Sequence, residues 1–264
     1  MKRLLTGIGL IALAFYLVFF SPELIFTAAA VAMSLLCYRE YSMLVVAHNV
    51  PNPGWLGIVC GLMILFLPQL ASGQAALLSG FTLVAIVAFV VALRFSDLSA
   101  MLLYVACVIL GALYTFAPWR FAIDLRAQSV HLLFFALALN WIGDSAAYYV
   151  GRALGKHSLA PIISPKKSWE GAIASAAGSV VFGLFYLGHF LPLFPWWEVM
   201  ILAITGNVVG QFGDLAESAI KRGAGVKDSG TLLPGHGGML DRVDGNLFTL
   251  PAVFAARARR RSRS

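Results

Sequence analysis

The most polar stretch of this sequence, Ser218 to Asp244, carries the residue types best suited to chemistry. The chain as a whole is 60% hydrophobic and only 12% charged. This stretch nevertheless gathers cations, acids and a histidine: Lys221, Arg222, Lys227, Asp228, His236, Asp241, Arg242 and Asp244. Its glycines permit a tight loop and a close approach to a ligand. Together these residues predict a site for a metal ion and a polyphosphate, although each charge taken singly is also typical of an ordinary loop.

Two of the acids, Asp241 and Asp244, stand three positions apart. Residues at this spacing share one face of a helix, and carboxylates in the first turn interact favourably with its positive end. Upstream, a polar stripe recurs at helical spacing in an apolar segment: Asn207, Gln211, Asp214, Ser218 and Lys221. Because lipid offers such groups no hydrogen bonds, we expect the stripe to face a hydrated cavity lined by protein.

A further acid, Asp144, lies upstream with Asn140 and Tyr148 at intervals of four residues. The three therefore share a helix face. A carboxylate at the centre of a bilayer costs about 3 kcal/mol on insertion scales, so Asp144 is expected to point into protein and to have a partner. A polar clamp between helices is the alternative interpretation. Asp144, Asp214, Asp241 and Asp244 come from three predicted spans, and together they predict a Mg2+ site. Whether a second cation binds is left open.

The elements that must position these residues are membrane-spanning helices. Mean hydropathy is +0.84 over 264 residues, and a helix needs about 20 apolar residues to cross a bilayer. The candidate spans are Leu4 to Phe20, Leu24 to Tyr38, Trp55 to Leu70, Ala75 to Leu93, Ser99 to Ala117, Val130 to Val150, Trp169 to Leu191, Trp196 to Ile220 and Met239 to Ala256. The predicted fold class is all-α, a polytopic integral membrane bundle of about nine helices. Residues 1–128 are expected to form a scaffold, and residues 129–264 the catalytic region.

The basic residues predict which side of the membrane the polar stretch faces. Lys2 and Arg3 place the N-terminus in the cytoplasm, and alternation then places the Arg152 to Lys167 loop and the Lys221 to Lys227 loop there too. Nine crossings would leave the Arg-rich C-terminal end outside, against the same rule, and the sequence does not decide this conflict. A net charge of +7 would suggest nucleic acid in a soluble protein, but here anionic lipid headgroups explain it better and no nucleic acid is expected.

Several other residues are assigned to packing or to the surface. The three cysteines lie in apolar spans without the spacing of a metal or redox site. The segment containing Trp119, Arg120 and Arg126 is interpreted as an exposed interfacial anchor. His157 is interpreted as a solvated loop residue.

The stretch from Ser218 to Asp244 reads S-x-I-K-R-x4-K-D-x-G-x2-L-P-x-H-G-G-M-x-D-R-V-D. It resembles the signature of the phosphatidate cytidylyltransferase (CDP-diacylglycerol synthase) family. The tract SPKKSWEG resembles a second motif of that family, with Ser168 where Thr is expected. Ala146 stands where Gly is expected after Asp144 and Ser145.

The resemblance implies the reaction of CTP with phosphatidate to give CDP-diacylglycerol and pyrophosphate, in phospholipid biosynthesis. It implies Mg2+ held by Asp214 and Asp241, with Asp244 and Asp144 as partners. The residues expected to bind phosphates are Lys221, Arg222, Lys227 and Arg242. Ser218, Asp228 and His236 are expected to position the loop or a substrate, and Lys166 and Lys167 to meet the lipid headgroup or the triphosphate.

The expected setting is a bacterial inner membrane with the active site facing the cytoplasm. Two alternatives remain open: a CTP-using transferase acting on another membrane lipid, such as a polyprenyl phosphate, and a transporter whose acids carry cations. Oligomeric state, a homodimer included, acyl-chain preference and the choice between CTP and dCTP are not legible in the sequence.

Overall fold

A computed structural model of the chain describes residues 2–70, 74–95, 97–232 and 237–261, most of them helical. The helices are α1 (Lys2–Phe19), α2 (Glu23–Ala47), α3 (Gly54–Leu70), α4 (Gln74–Ala92), α5 (Ala100–Thr115), α6 (Ala117–Gln128), α7 (Val130–Leu154), α8 (Trp169–Phe190), α9 (Trp196–Gly223) and α10 (Leu240–Arg261). Between α7 and α8, β1 (Ser158–Ala160) pairs antiparallel with β2 (Ser164–Ser168). The predicted all-α membrane class is confirmed, and the short hairpin is an addition to it.

Five helical segments are long and apolar enough to cross a membrane: Glu23–Ala47, Ala100–Gln128, Val130–Leu154, Trp169–Phe190 and Trp196–Gly223. Gly54–Phe66 and Ser79–Ala92 are shorter apolar helices. The predicted number of nine spans is not confirmed. The predicted end of the second span at Tyr38 is wrong, because α2 continues to Ala47. Helix α10 also extends beyond the predicted Ala256, to Arg261, with Pro251 inside it.

The chain divides into two compact units, each assembled from separated segments. The first unit comprises Met1–Ile11, Pro22–Arg120 and Gly223–Arg242, and the second comprises Ala12–Ser21, Phe121–Arg222 and Val243–Ser264. The Ser218 to Asp244 signature contributes to both units. The predicted division into a scaffold, residues 1–128, and a catalytic region, residues 129–264, concerns function rather than packing, and it stays a prediction.

In the first unit, aromatic rings pack onto helical glycines. A side chain at Gly61 would overlap the ring of Phe116, and one at Gly111 would lie 2.5 Å from the Tyr41 ring. Cys37 and Cys60 are buried among these helices and Cys107 is partly buried, and within the described residues none of the three forms a disulfide. The interpretation of the cysteines as packing residues is therefore confirmed.

In the second unit, α7, α8, α9 and α10 are joined by buried hydrogen bonds between small polar side chains. Asn207 Nδ2 donates to Ser175 Oγ and Ser179 Oγ, each at 2.9 Å. Asn140 Nδ2 donates to Asn246 Oδ1 at 2.7 Å and to Thr249 Oγ1 at 3.1 Å. Bonds of this kind satisfy polar groups that lipid could not satisfy, so they specify which helix faces meet.

The segment predicted to be an exposed interfacial anchor is instead part of helix α6, and that prediction is wrong. Trp119 is buried, and Arg120 Nη1 donates to Leu65 O at 3.1 Å. Arg126 Nε donates to Val18 O at 3.0 Å, which satisfies a carbonyl in the last turn of α1. A guanidinium is used here because its several donors reach carbonyls that the end of a helix leaves free.

Replacing Asn207 with Leu is expected to lower the free energy of unfolding by about 1–2 kcal/mol, because Ser175 and Ser179 lose their shared donor inside the helix packing. Denaturant unfolding of the detergent-solubilised chain, followed by tryptophan fluorescence, measures this change. Ser145→Ala is the matched control, since the exposed Ser145 Oγ donates to the carbonyl of Trp141 in its own helix. Equal stabilities of the two variants would contradict this role of Asn207.

Candidate active site

The loop that precedes α10 is folded around the carboxylate of Asp241 in the first unit. Asp241 Oδ2 accepts hydrogen bonds from Ser229 N at 3.0 Å and from Gly238 N at 2.7 Å. Gly237 has φ of +77°, and a side chain there would lie 2.6 Å from Asp241 Oδ2. This glycine is therefore required by the backbone conformation and by the close carboxylate together.

A second carboxylate, Glu40 of α2, also holds this loop and was not singled out by the sequence. Its side chain is buried, at 3% exposure. Glu40 Oε2 accepts from Ser229 Oγ at 2.9 Å and from Leu240 N at 2.8 Å, and Oε1 accepts from Met239 N at 2.9 Å. An acid inside a membrane-spanning helix indicates a partner within the protein, and this pattern could have identified Glu40. It was overlooked because the second span was predicted to end at Tyr38, before Glu40.

The other predicted residues in this loop and in the first turn of α10 lie at the surface. Lys227, Asp228 and Arg242 are exposed, so they are accessible to a soluble or headgroup phosphate. His236 lies outside the described residues, and its predicted role stays a prediction.

In the second unit, Asp214 forms an ion pair with Lys167, and both side chains are about one-third exposed or less. Ser218 Oγ lies 3.4 Å from the other oxygen of the same carboxylate. Lys167 stands at the end of strand β2, so the hairpin carries this ammonium group to α9. Lys166, its neighbour, is exposed. Three of the predicted site residues, Lys167, Asp214 and Ser218, are therefore brought together.

One turn further along α9, Lys221 forms an ion pair with the fully buried carboxylate of Glu217. Glu217 was not among the residues singled out from the sequence, so its role as the partner of Lys221 was missed. Removing one member of a buried pair leaves the other charge uncompensated, which costs about 3–5 kcal/mol. Lys221 is thus held in one position, whereas Arg222, next in sequence, is exposed.

Three aspartates of the second unit, Asp144, Asp214 and Asp244, lie close enough for their charges to act on one another. Asp214 interacts electrostatically with Asp144, and both interact with Asp244. Asp244 Oδ1 also accepts from Gly245 N at 2.8 Å. Among the residues that the structure describes, no three His, Cys, Asp or Glu side chains are already gathered as a metal site. Mg2+ fits this donor set nevertheless, since it is usually bound by one or two carboxylates together with substrate phosphates.

The polar stripe of α9 divides into two parts with different roles. Asn207 is buried and serves helix packing, and Gln211 Nε2 donates to Asn207 Oδ1 at 2.6 Å and to Ala172 O at 3.2 Å. The expectation that the whole stripe faces a hydrated cavity is therefore wrong for these two amides, because neighbouring helix groups satisfy them. The remaining members, Asp214, Ser218 and Lys221, are the ones with charged neighbours.

The polar residues of α7 also divide into packing and exposed positions. Asn140 forms the polar clamp between helices that was the alternative interpretation of its stripe, whereas Asp144 is exposed.

His157, next to the hairpin, is exposed as predicted but has a partner, since its Nδ1 lies 2.7 Å from Glu170 Oε1. This contact ties the start of the hairpin to the first turn of α8, where Ser168 Oγ accepts from Gly171 N at 3.1 Å.

Comparison with known proteins extends this description to the whole chain. The sequence pattern of the cytidylyltransferase family matches residues 1–258. A protein of Bacillus subtilis (strain 168) named phosphatidate cytidylyltransferase is 34% identical over 264 residues, which cover 96% of each chain. The protein of that name from Staphylococcus aureus (strain COL) is 33% identical over 259 residues, 95% of this chain and 96% of the relative.

A further relative with the same name, from Staphylococcus haemolyticus (strain JCSC1435), is 40% identical over 162 residues. That match spans 60% of this chain and 58% of the relative, little more than half of its length. The full-length matches and the family pattern agree with the resemblance seen in the signature stretch. The chain belongs to the cytidylyltransferase family.

Proposed function

We propose that this protein is a phosphatidate cytidylyltransferase that converts CTP and phosphatidate to CDP-diacylglycerol and pyrophosphate. The observation that carries the proposal is the signature stretch, which supplies an ordered carboxylate loop and exposed cations within a chain matched by the family over residues 1–258. The name that these relatives share, phosphatidate cytidylyltransferase, supports the choice of phosphatidate over another membrane lipid.

In the proposed reaction, an oxygen of the lipid phosphate attacks the α-phosphorus of CTP. A new P–O bond forms, the bond to the β-phosphate bridging oxygen breaks, and its electron pair leaves with pyrophosphate. The attacking oxygen is already anionic, so no nucleophilic side chain is required. Catalysis then depends on positioning the two substrates and on stabilising developing negative charge.

Mg2+ is the proposed cofactor, and when bound it would neutralise negative charge on the phosphates of CTP and on the leaving pyrophosphate. The carboxylates that would hold it are Asp214 and Asp244, with Asp144 within electrostatic reach of both. Asp241 remains a predicted ligand from the signature, and it also orders its own loop. The identity of any second cation is left to experiment.

The proposed phosphate-binding groups differ in how firmly they are held. Lys167 and Lys221 are fixed by carboxylates, which positions each ammonium group in advance of binding. The other proposed phosphate-binding cations are exposed, so phosphate oxygens can reach them at the surface: Lys166, Arg222, Lys227 and Arg242. Ser218 and Asp228 are proposed to position the loop or a substrate.

The proposed setting is the inner membrane of a bacterium, with the signature stretch on the cytoplasmic side where CTP is found. The positions of the basic loops under the positive-inside rule support this orientation. A homodimer is compatible with the proposal but is not required by it.

The reaction itself is tested with the purified chain in detergent micelles, supplied with CTP labelled at the α-phosphate, phosphatidate and Mg2+. The expected result is a labelled lipid with the mobility of CDP-diacylglycerol and one pyrophosphate released per labelled lipid. Micelles containing a polyprenyl phosphate in place of phosphatidate provide the comparison. Labelling of that lipid alone, or of none, would contradict the proposed substrate.

Replacing Asp214 with Asn is expected to lower kcat by about 10²-fold or more, because the position loses a full negative charge where a cation is to be held. Glu198→Gln, in the first turn of the same helix, is the matched control and should retain wild-type kcat. Rates are measured at saturating CTP and phosphatidate. An Asp214→Asn enzyme with near-normal kcat would remove this carboxylate from the proposed site.

Replacing Arg222 with Gln is expected to raise KM for CTP or phosphatidate by about tenfold with a smaller change in kcat, because a charge-assisted bond to phosphate is lost. Arg94→Gln, an exposed arginine of another loop, tests whether the effect follows from reduced net charge alone. Equal KM values in the two variants would reassign Arg222 to membrane topology.

A further inference from the structure

The buried Glu40 carboxylate joins helix α2 to the signature loop, although the sequence assigned the N-terminal helices to scaffold. We propose that Glu40 is a positioning residue for cytidylyl transfer: it clamps the loop before α10 and the first turn of that helix, which carries Asp241. The proposal rests on the proposed function for its kinetic consequence, but the clamp itself is tested without catalysis. Every contact that carries it lies within the first unit.

Both carboxylate oxygens of Glu40 accept hydrogen bonds. Oε1 accepts from Met239 N, and Oε2 accepts from Ser229 Oγ and Leu240 N. Burying a carboxylate costs several kcal/mol unless hydrogen bonds satisfy it. Here two of the donors are backbone N–H groups at the start of α10, where the helix dipole also favours negative charge. Such charge-assisted bonds are about twice as strong as bonds between neutral groups.

The glycines of the signature make room for this carboxylate. A side chain at Gly230 would lie 2.8 Å from Glu40 Oε1, and one at Gly238 would overlap both Glu40 Oε2 and Ser229 Oγ. Both positions therefore need glycine for a reason separate from ligand binding. The signature and Glu40 form one packed structure, though about 190 residues separate Glu40 from Ser229.

Ser229 links the clamp to the predicted catalytic acid. Its hydroxyl donates to Glu40, while its backbone N–H donates to Asp241. Gly238 N donates to Asp241, and the next two amides donate to Glu40. Neighbouring donors of the same loop therefore bind the two carboxylates, Glu40 and Asp241. A change at Glu40 should therefore shift the position of Asp241 and Arg242 without touching either residue.

The experiment uses the full chain carrying Glu40→Gln, which keeps the size of the side chain but turns one acceptor into a donor facing loop N–H or O–H groups. We expect kcat to fall by about tenfold or more, with KM for CTP changed by less than about threefold. Glu23→Gln, an exposed acid on the same helix, should match the wild type.

Hydrogen–deuterium exchange supplies the readout that does not depend on activity. Amides in peptides covering residues 229–240 should exchange at least about tenfold faster in Glu40→Gln than in the wild type, while peptides from α7 and α8 keep their protection. Gly238→Ala should reproduce this local loss, because its side chain displaces the same carboxylate. A merely structural role would speed exchange in all helices together.

Three results would overturn the clamp. The first is unchanged exchange in residues 229–240 of Glu40→Gln, and the second is loss of protection throughout the chain in both Glu40→Gln and Gly238→Ala. The third concerns Ser229→Ala, which removes one donor to Glu40 and is used if Glu40→Gln does not fold. Exchange in residues 229–240 should then be faster in Ser229→Ala than in the wild type, and an unchanged exchange rate would reject the proposal. A wild-type chain that makes no CDP-lipid would reject the proposed function but leave the exchange result standing.

Discussion

The constraint on which this structure depends is the cost of placing a carboxylate inside an apolar, membrane-spanning chain. A chain that is 12% charged can bury an acid only where donors or cations satisfy it. Glu217 meets this requirement with Lys221, and Glu40 meets it with loop donors, as the half-buried Asp241 also does. Each of these acids therefore fixes the position of another part of the chain.

The acids divide into two groups on this basis. Glu40, Glu217 and Asp241 are satisfied by groups of the protein, and their contacts order the signature stretch. Asp144, Asp214 and Asp244 act on one another as like charges, with Lys167 paired to one of them. Like charges in proximity favour a bound cation, so the second group supports the proposed metal-assisted reaction, whereas the contacts of the first group fix local structure within each unit.

The features that were predicted well from the sequence are those that depend on local sequence pattern. Hydropathy predicts the helical membrane class, and the spacing of the signature predicts its family, because both are readable without knowing which helices meet. Glu40 was missed because ending the second span at Tyr38 put it outside the membrane. Asn207 was assigned to a cavity because its spacing matches Asp214, whereas its partners Ser175 and Ser179 come from another helix. Partners from distant segments are a tertiary property that helical periodicity does not report.

The central claim, that the like-charged acids of the second unit hold the cation of the reaction, is tested most directly by titrating Mn2+ into the chain with CTP present. Mn2+ takes the same oxygen ligands as Mg2+ and its binding is read by electron paramagnetic resonance. The account predicts that the wild type and Glu23→Gln bind Mn2+ beyond the amount that CTP alone binds, and that an Asp214→Asn, Asp244→Asn double variant does not. Undiminished Mn2+ binding in a folded double variant would contradict it.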